Sequence, residues 1–216
     1  MELNKYIEHT ILKQDATKAE VTKLLDEAKE YNFRGICVNP IYVKYAAEYL
    51  KGTGINVVSV VGFPLGQNTT ECKVLETIDG VKNGADEIDM VINVGKLKDK
   101  EYEFIVEEIS KIKTACQGKA LKVILETDLL SADEIKKACE LCIEAKADFV
   151  KTSTGFVKNG VGAKVEDVRL MYETVKSAGL QVKASGGVRD KEAALAMIEA
   201  GATRIGTSSG VKICQS

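Results

Sequence analysis

The 216-residue sequence has no tryptophan, one histidine and two prolines, and it carries almost no net charge, −2. Each shortage closes off a class of function. With His9 alone, a histidine-rich metal site cannot be built, and a Ser-His-Asp triad would depend on that one residue being well placed. With aromatics at only 6% and tryptophan missing, no base-stacking surface is expected. A pI near 5.7 gives no positive field for nucleic acid or an anionic membrane, so neither is expected as a partner. Long apolar runs are missing too. The longest, around Ile55–Phe63, is the length of a strand and not of a bilayer span. Met1-Glu2-Leu3-Asn4-Lys5 lacks the basic and then apolar layout of a signal peptide, so a cytoplasmic address is expected.

The six cysteines do not make a metal site either. Only Cys139 and Cys142 form a CxxC, with no second pair or histidine to complete it. Both fall on the helical stripe Ile135, Ala138, Cys139, Cys142, Ile143, where they read as small core residues in a reducing compartment. The acidic run Asp86-Glu87-Asp89 is split between two faces by strand alternation, so no metal and no cofactor is expected.

What is present is a regular alternation. Strands are expected near Tyr6–Leu12, Gly35–Asn39, Asn56–Val61, Glu87–Ile92, Leu121–Glu126, Phe149–Thr152, Val182–Ala184 and Arg204–Thr207. Helical patterns lie between them. Thr17 with Glu20, Asn68 with Glu71 and Ser131 with Glu134 read as helix starts, and Val74, Leu75, Ile78 and Val81 as the buried stripe of the third helix. Strands apolar on both faces suit a parallel sheet covered by helices. Eight β–α units in this length predict a (β/α)8 TIM barrel as one domain over residues 1–216, with a short N-terminal extension. A doubly wound open sheet is the alternative, but no G-x-G-x-x-G follows the first clear strand.

In such barrels the active site lies at the C-terminal strand ends. Two expected strands end in a lysine followed by small residues: Phe149-Val150-Lys151-Thr152-Ser153-Thr154-Gly155 and Val182-Lys183-Ala184-Ser185-Gly186-Gly187. If Val150, Ile88 and Val182 face the helices, then Lys151, Asp89 and Lys183 all point into the barrel mouth; Lys122 joins them if Val123 and Leu125 face outward. Two ammonium groups packed together lower at least one pKa, and a neutral lysine forms Schiff bases with carbonyl compounds. Asp89 could hold water or move protons, although an ion-pair network that only neutralises the mouth is the structural alternative. The turns Ser185-Gly186-Gly187 and Gly206-Thr207-Ser208-Ser209-Gly210 follow the last two strands, where such barrels often bind phosphate.

The motifs Glu8-His9-Thr10, Gly84 to Asn93, Lys151 to Phe156, Val182 to Arg189 and Arg204 to Gly210 resemble those of the 2-deoxyribose-5-phosphate aldolase family, over about Tyr6 to Ile213. The resemblance implies a class I, metal-independent aldolase that reversibly cleaves 2-deoxy-D-ribose 5-phosphate to acetaldehyde and D-glyceraldehyde 3-phosphate. It implies Lys151 as the Schiff-base lysine, a choice that spacing alone leaves open, Lys183 as the lysine that perturbs it, and Asp89 as the proton relay. It further implies Gly155, Gly186, Gly187, Gly206, Ser208 and Ser209 as substrate- and phosphate-binding positions, with Thr10, Cys37 and Lys122 in support. Glu8 stands where similar sequences carry aspartate. Another Schiff-base aldolase or transaldolase, or a barrel that binds sugar phosphates without catalysis, remains open. A homo-oligomer, with a dimer foremost, is expected as the assembly.

Overall fold

Eight parallel strands pair in sequence order, and the eighth returns to the first, in a computed structural model that describes residues 1–215. The strands are β1 (Ile7–Ile11), β2 (Gly35–Val38), β3 (Asn56–Val61), β4 (Glu87–Val91), β5 (Ala120–Ile124), β6 (Phe149–Lys151), β7 (Gln181–Ser185) and β8 (Ala202–Thr207). A 3-10 turn, Leu3–Tyr6, precedes β1. The closed barrel is the (β/α)8 architecture that the alternation predicts.

The barrel wall divides the apolar side chains into two clusters. Ile36, Val57, Ile88, Val123, Val150, Val182 and Ile205 point outward and join the large core under the helices. Cys37, Val58 and Val60 point inward and pack separately, with Leu12 and Phe63 against them. Successive side chains alternate between the two faces, so the positions between the outward ones carry Asp89, Lys122, Lys151 and Lys183 to the interior. Val123 and Leu125 belong to the outer core, which meets the condition for Lys122 facing in.

Helices cover the wall: α1 (Lys18–Glu30), α2 (Val43–Tyr49), α3 (Thr70–Lys82), α4 (Val94–Lys98), α5 (Tyr102–Ala115), α6 (Ala132–Glu144), α7 (Val165–Val175), α8 (Lys191–Glu199) and α9 (Gly210–Gln215). The capping boxes of Thr17 with Glu20 and Ser131 with Glu134 are both formed. On α1 the stripe Val21, Leu24, Leu25 and Ala28 is buried; each large side chain there contributes about 1.5–3 kcal/mol. Cys139 and Cys142 are buried on α6, and burial pushes the Cys139 thiol up to about 12, as suits inert core residues.

Helix α3 departs from the expectation. Thr69, not Asn68, caps it, accepting from the Cys72 N–H at 3.3 Å. The buried face is Thr70, Lys73, Thr77 and Gly80, whereas Leu75 and Ile78 face outward and are exposed. Two features turn the helix this way. Gly80 brings it close to the sheet: a Cβ there would stand 3.4 Å from both Ile88 Cδ1 and Ser59 Cβ. Lys73 is fully buried because its Nζ donates to Glu108 Oε2 and to the Val91 carbonyl, both at 2.9 Å. A hydrophobicity count assigns a lysine to the surface; a matched carboxylate on α5 brings it inside.

Candidate active site

Asp89 is the centre of the barrel interior. It is fully buried, and its Oδ2 accepts from both Lys151 Nζ and Lys183 Nζ at 2.7 Å, while Oδ1 accepts from Lys122 Nζ at 3.0 Å. Neighbouring strands supply these groups: Asp89 pairs in register with Lys122, and Lys151 with Lys183. The sequence reading named all four. Three further charged residues, which strand patterning does not assign to the site, complete the charge set. Glu8 from β1 accepts from Lys183 and lies 3.5 Å from Lys122. Glu87 from β4 pairs with Lys122 and accepts from Asn56 Nδ2 at 2.8 Å. Arg204 from β8 lies 3.6 Å from Glu8, an ionic contact longer than a hydrogen bond, with its guanidinium 5.4 Å from the Phe149 ring centroid. Strand parity puts them on the inward face, since Glu8 shares a face with Thr10, Glu87 with Asp89, and Arg204 with Gly206.

The charges in this cluster are unequal in their consequences. Burial alone would drive Asp89 towards its neutral form, but the ammonium groups of Lys122, Lys151 and Lys183 hold its carboxyl well below the usual range. Burial also opposes charge on Lys183 and Lys122. There the carboxylates win: Asp89 and Glu8 push Lys183 up, and Asp89, Glu8 and Glu87 push Lys122 up. Of the three lysines, Lys151 alone goes down. Burial is the largest cause, the Lys183 charge adds to it, and Asp89 opposes both. The expectation that one of two neighbouring lysines titrates low is met, but burial contributes more than the second ammonium does. If Lys151 gives up its proton, the remaining cations Lys122, Lys183 and Arg204 match the carboxylates Glu8, Glu87 and Asp89 one for one. Pairing of that kind is what makes buried charge tolerable.

A cavity of about 680 Å³ opens above the cluster, and Lys151 is the one lysine of the four-residue set that lines it. Lys183, Lys122 and Asp89 are buried and do not line it. Of the other positions read from the sequence, Thr10, Gly155, Gly186, Gly187, Gly206 and Ser208 line the cavity, together with Ser185 and Arg189. Gly155, Gly186 and Gly187 have φ of 83°, 82° and 77°, which an L side chain seldom adopts. Thr10 donates from Oγ1 to its neighbour's Glu8 carbonyl at 2.9 Å. Two positions sit apart from the lining: Ser209, whose N–H donates to Thr207 Oγ1 at 2.9 Å, and Cys37, fully buried and with a thiol pushed by burial up to about 11. Gly206 serves the lysine rather than the cavity alone, since a Cβ there would stand 3.0 Å from Lys183 Cε.

A parallel (β/α)8 barrel whose cavity ends on a buried amine, with glycine turns along one wall, defines a barrel enzyme suited to a small, multiply oxygenated substrate. The family described as DeoC/LacD family aldolase matches residues 3–216. The chain belongs to that family. It is 58% identical over 214 residues to a deoxyribose-phosphate aldolase of Enterococcus faecalis, covering 99% of this chain and 96% of the relative. It is 54% identical over 215 residues to one of Finegoldia magna, covering the whole of both. Among solved structures, a tetrameric deoxyribose phosphate aldolase of Aeropyrum pernix superposes with a TM-score of 0.91 at 35% identity, over 99% of this chain and 90% of that one.

Proposed function

We propose that the chain catalyses the reversible cleavage of 2-deoxy-D-ribose 5-phosphate to D-glyceraldehyde 3-phosphate and acetaldehyde through an imine on Lys151. One observation carries the choice of lysine. Of the interior lysines, Lys151 alone both borders the cavity and has a lowered pKa. Family membership and the relatives, which are deoxyribose-phosphate aldolases, support the substrate.

The neutral Lys151 amine adds to the C1 aldehyde of the open-chain sugar, and loss of water with uptake of one proton gives a protonated imine. That cation draws the C2–C3 bonding pair towards C1 once the C3 hydroxyl gives up its proton, so glyceraldehyde 3-phosphate leaves and an enamine remains. Asp89, directly or through water, accepts the hydroxyl proton. Its carboxylate is kept ionised by the cations around it, so the proton passes through Asp89 rather than resting there. Protonation of the enamine at C2 and hydrolysis release acetaldehyde and restore Lys151. Lys183 and Lys122 act as fixed cations that keep Asp89 ionised, and Lys183 also disfavours a charge on Lys151.

The phosphate is proposed to lie along Gly186, Gly187 and Ser208, with Gly155 and Gly206 beside it. Glycines with positive φ let backbone N–H groups approach an anion, and binding remote from the broken bond orients the reacting carbons. A homo-oligomer is proposed, with a dimer foremost. The tetrameric structure of the Aeropyrum pernix aldolase supports assembly in general. A cytoplasmic location is proposed as well. It agrees with six cysteines that are all unpaired and with the fact that, among the described residues, no helix is long and apolar enough to cross a membrane. The function is tested by following acetaldehyde release from 2-deoxyribose 5-phosphate beside cleavage of ketose phosphates. Release from the deoxy sugar alone is expected; preference for a ketose phosphate would move the chain to transaldolase-type chemistry.

A further inference from the structure

The segment between β6 and α7, residues 152–164, forms one side of the cavity mouth, and the turn after β5 holds it at both ends. At the near end, the Thr154 N–H donates to Glu126 Oε1 at 3.0 Å, and the Thr154 hydroxyl donates to Oε2. At the far end, the Gly162 N–H donates to Asp128 Oδ2 at 2.8 Å. The Asp128 side chain is only 9% exposed, and its other oxygen lies 3.9 Å from Lys164 Nζ. It does not line the cavity.

What Asp128 holds is the backing of the glycine turn. Gly162 has φ of 80°, and a Cβ on it would stand 2.4 Å from the Gly186 carbonyl carbon. The Ala163 N–H donates to the Gly186 carbonyl at 3.0 Å. On the adjacent residue, a Cβ on Gly187 would stand 2.3 Å from the Val161 carbonyl oxygen. Backbone therefore lies directly on backbone here, with no side chain between to absorb a shift. A displacement of Val161 to Ala163 is passed to Gly186 and Gly187.

We propose that Asp128 is a positioning residue for the anionic end of the substrate. Its carboxylate fixes Gly162, Gly162 fixes the Gly186–Gly187 turn, and the chain thereby discriminates phosphorylated from unphosphorylated deoxy sugars. The inference rests on the reading that this turn receives the substrate phosphate. Glu126 anchors the near end of the same segment, beside Lys151, and so serves the reacting carbons more than the phosphate.

The test compares 2-deoxyribose 5-phosphate with 2-deoxyribose. In Asp128→Ala, KM for the phosphorylated sugar rises about tenfold, as expected for loss of one charge-assisted hydrogen bond, with kcat changed less than about twofold. The kcat/KM for unphosphorylated 2-deoxyribose stays at the parent value. Asp128→Asn, whose amide oxygen can accept the same N–H, restores discrimination to within about threefold of the parent. Gly162→Ala reproduces the selective loss with Asp128 intact, and it carries the test if Asp128→Ala does not fold. Equal losses on both sugars, a fall in kcat at unchanged KM, or parent-like discrimination in Asp128→Ala overturns the proposal. Gly187→Ala separates it from the reading beneath it. If Gly187→Ala lowers discrimination and Asp128→Ala does not, the role of Asp128 alone fails. If Gly187→Ala leaves discrimination unchanged, the phosphate assignment fails and takes the inference with it.

Discussion

Replacing Lys183 with methionine removes one ammonium from the cluster at nearly constant volume, and the consequence for Lys151 can be worked from geometry. Both Nζ atoms lie 2.7 Å from the same Asp89 oxygen, which keeps them within about 5.5 Å of each other. At an effective dielectric of about 20, two unit charges at that distance repel by about 3 kcal/mol, or about two pH units of Lys151 ionisation. A second effect has the same sign. Without Lys183, the three carboxylates Glu8, Glu87 and Asp89 face only Lys122 and Arg204, and a protonated Lys151 restores the balance. The nucleophile is the neutral amine, so raising its pKa moves the acidic limb of the kcat/KM profile to higher pH. Lys183→Met should therefore lose about a hundredfold in kcat/KM near neutral pH and recover part of it as the pH is raised towards 9. The assay is acetaldehyde release across pH, with borohydride trapping of the imine in parallel and near-UV circular dichroism to confirm the fold. An acidic limb in the parent position, at whatever rate, would refute the argument that Lys183 tunes Lys151.

Glu8→Gln removes the anion that faces Lys183, Lys122 and Arg204 together. Breaking a buried pair from one side costs about 3–5 kcal/mol, so thermal unfolding should fall by about 6–20 °C, with Glu8→Asp losing much less; equal Tm values for parent and Glu8→Gln would contradict the pairing. Lys73→Met should destabilise by a comparable amount in urea, because Glu108 is left buried without its ammonium. The double variant Lys73→Met with Glu108→Leu should recover most of that loss, and a double variant no better than the single one would show that the pair is not what holds α3 on α5. Gly206→Ala sets a methyl against Lys183 Cε and should lower kcat without changing the secondary structure; a parent-like kcat would mean that Lys183 has more freedom than its packing indicates.

The barrel and its reactive end were legible for one physical reason. A strand in a closed parallel barrel buries both faces, and its side chains still alternate, so a lysine or aspartate between two aliphatic residues must point inward. Val150 with Lys151, Ile88 with Asp89, and Val182 with Lys183 show this in the sequence itself. The same logic reached Lys122 only conditionally, because the outward direction of Val123 and Leu125 is a property of the assembled wall. Strand parity puts Glu8, Glu87 and Arg204 on the inward face, but it does not show that they pair there, because their partners come from other strands. Helix α3 was misread for a related reason: Lys73 looks like a surface residue until Glu108 of α5 is placed beside it. The relation of Asp128 to Gly162 and Gly186 spans three strand–helix units and leaves no local trace.

Reduction of the imine on the enzyme identifies the lysine that forms it. The protein is incubated with acetaldehyde, treated with borohydride and mapped by peptide mass spectrometry. A reduced ethyl adduct is expected on Lys151, absent from Lys151→Met, with Lys183 and Lys122 unmodified because they are buried away from the cavity lining as cations. An adduct on Lys183 would exchange the roles of the two lysines, and trapping at none of the interior lysines would contradict the Schiff-base mechanism itself.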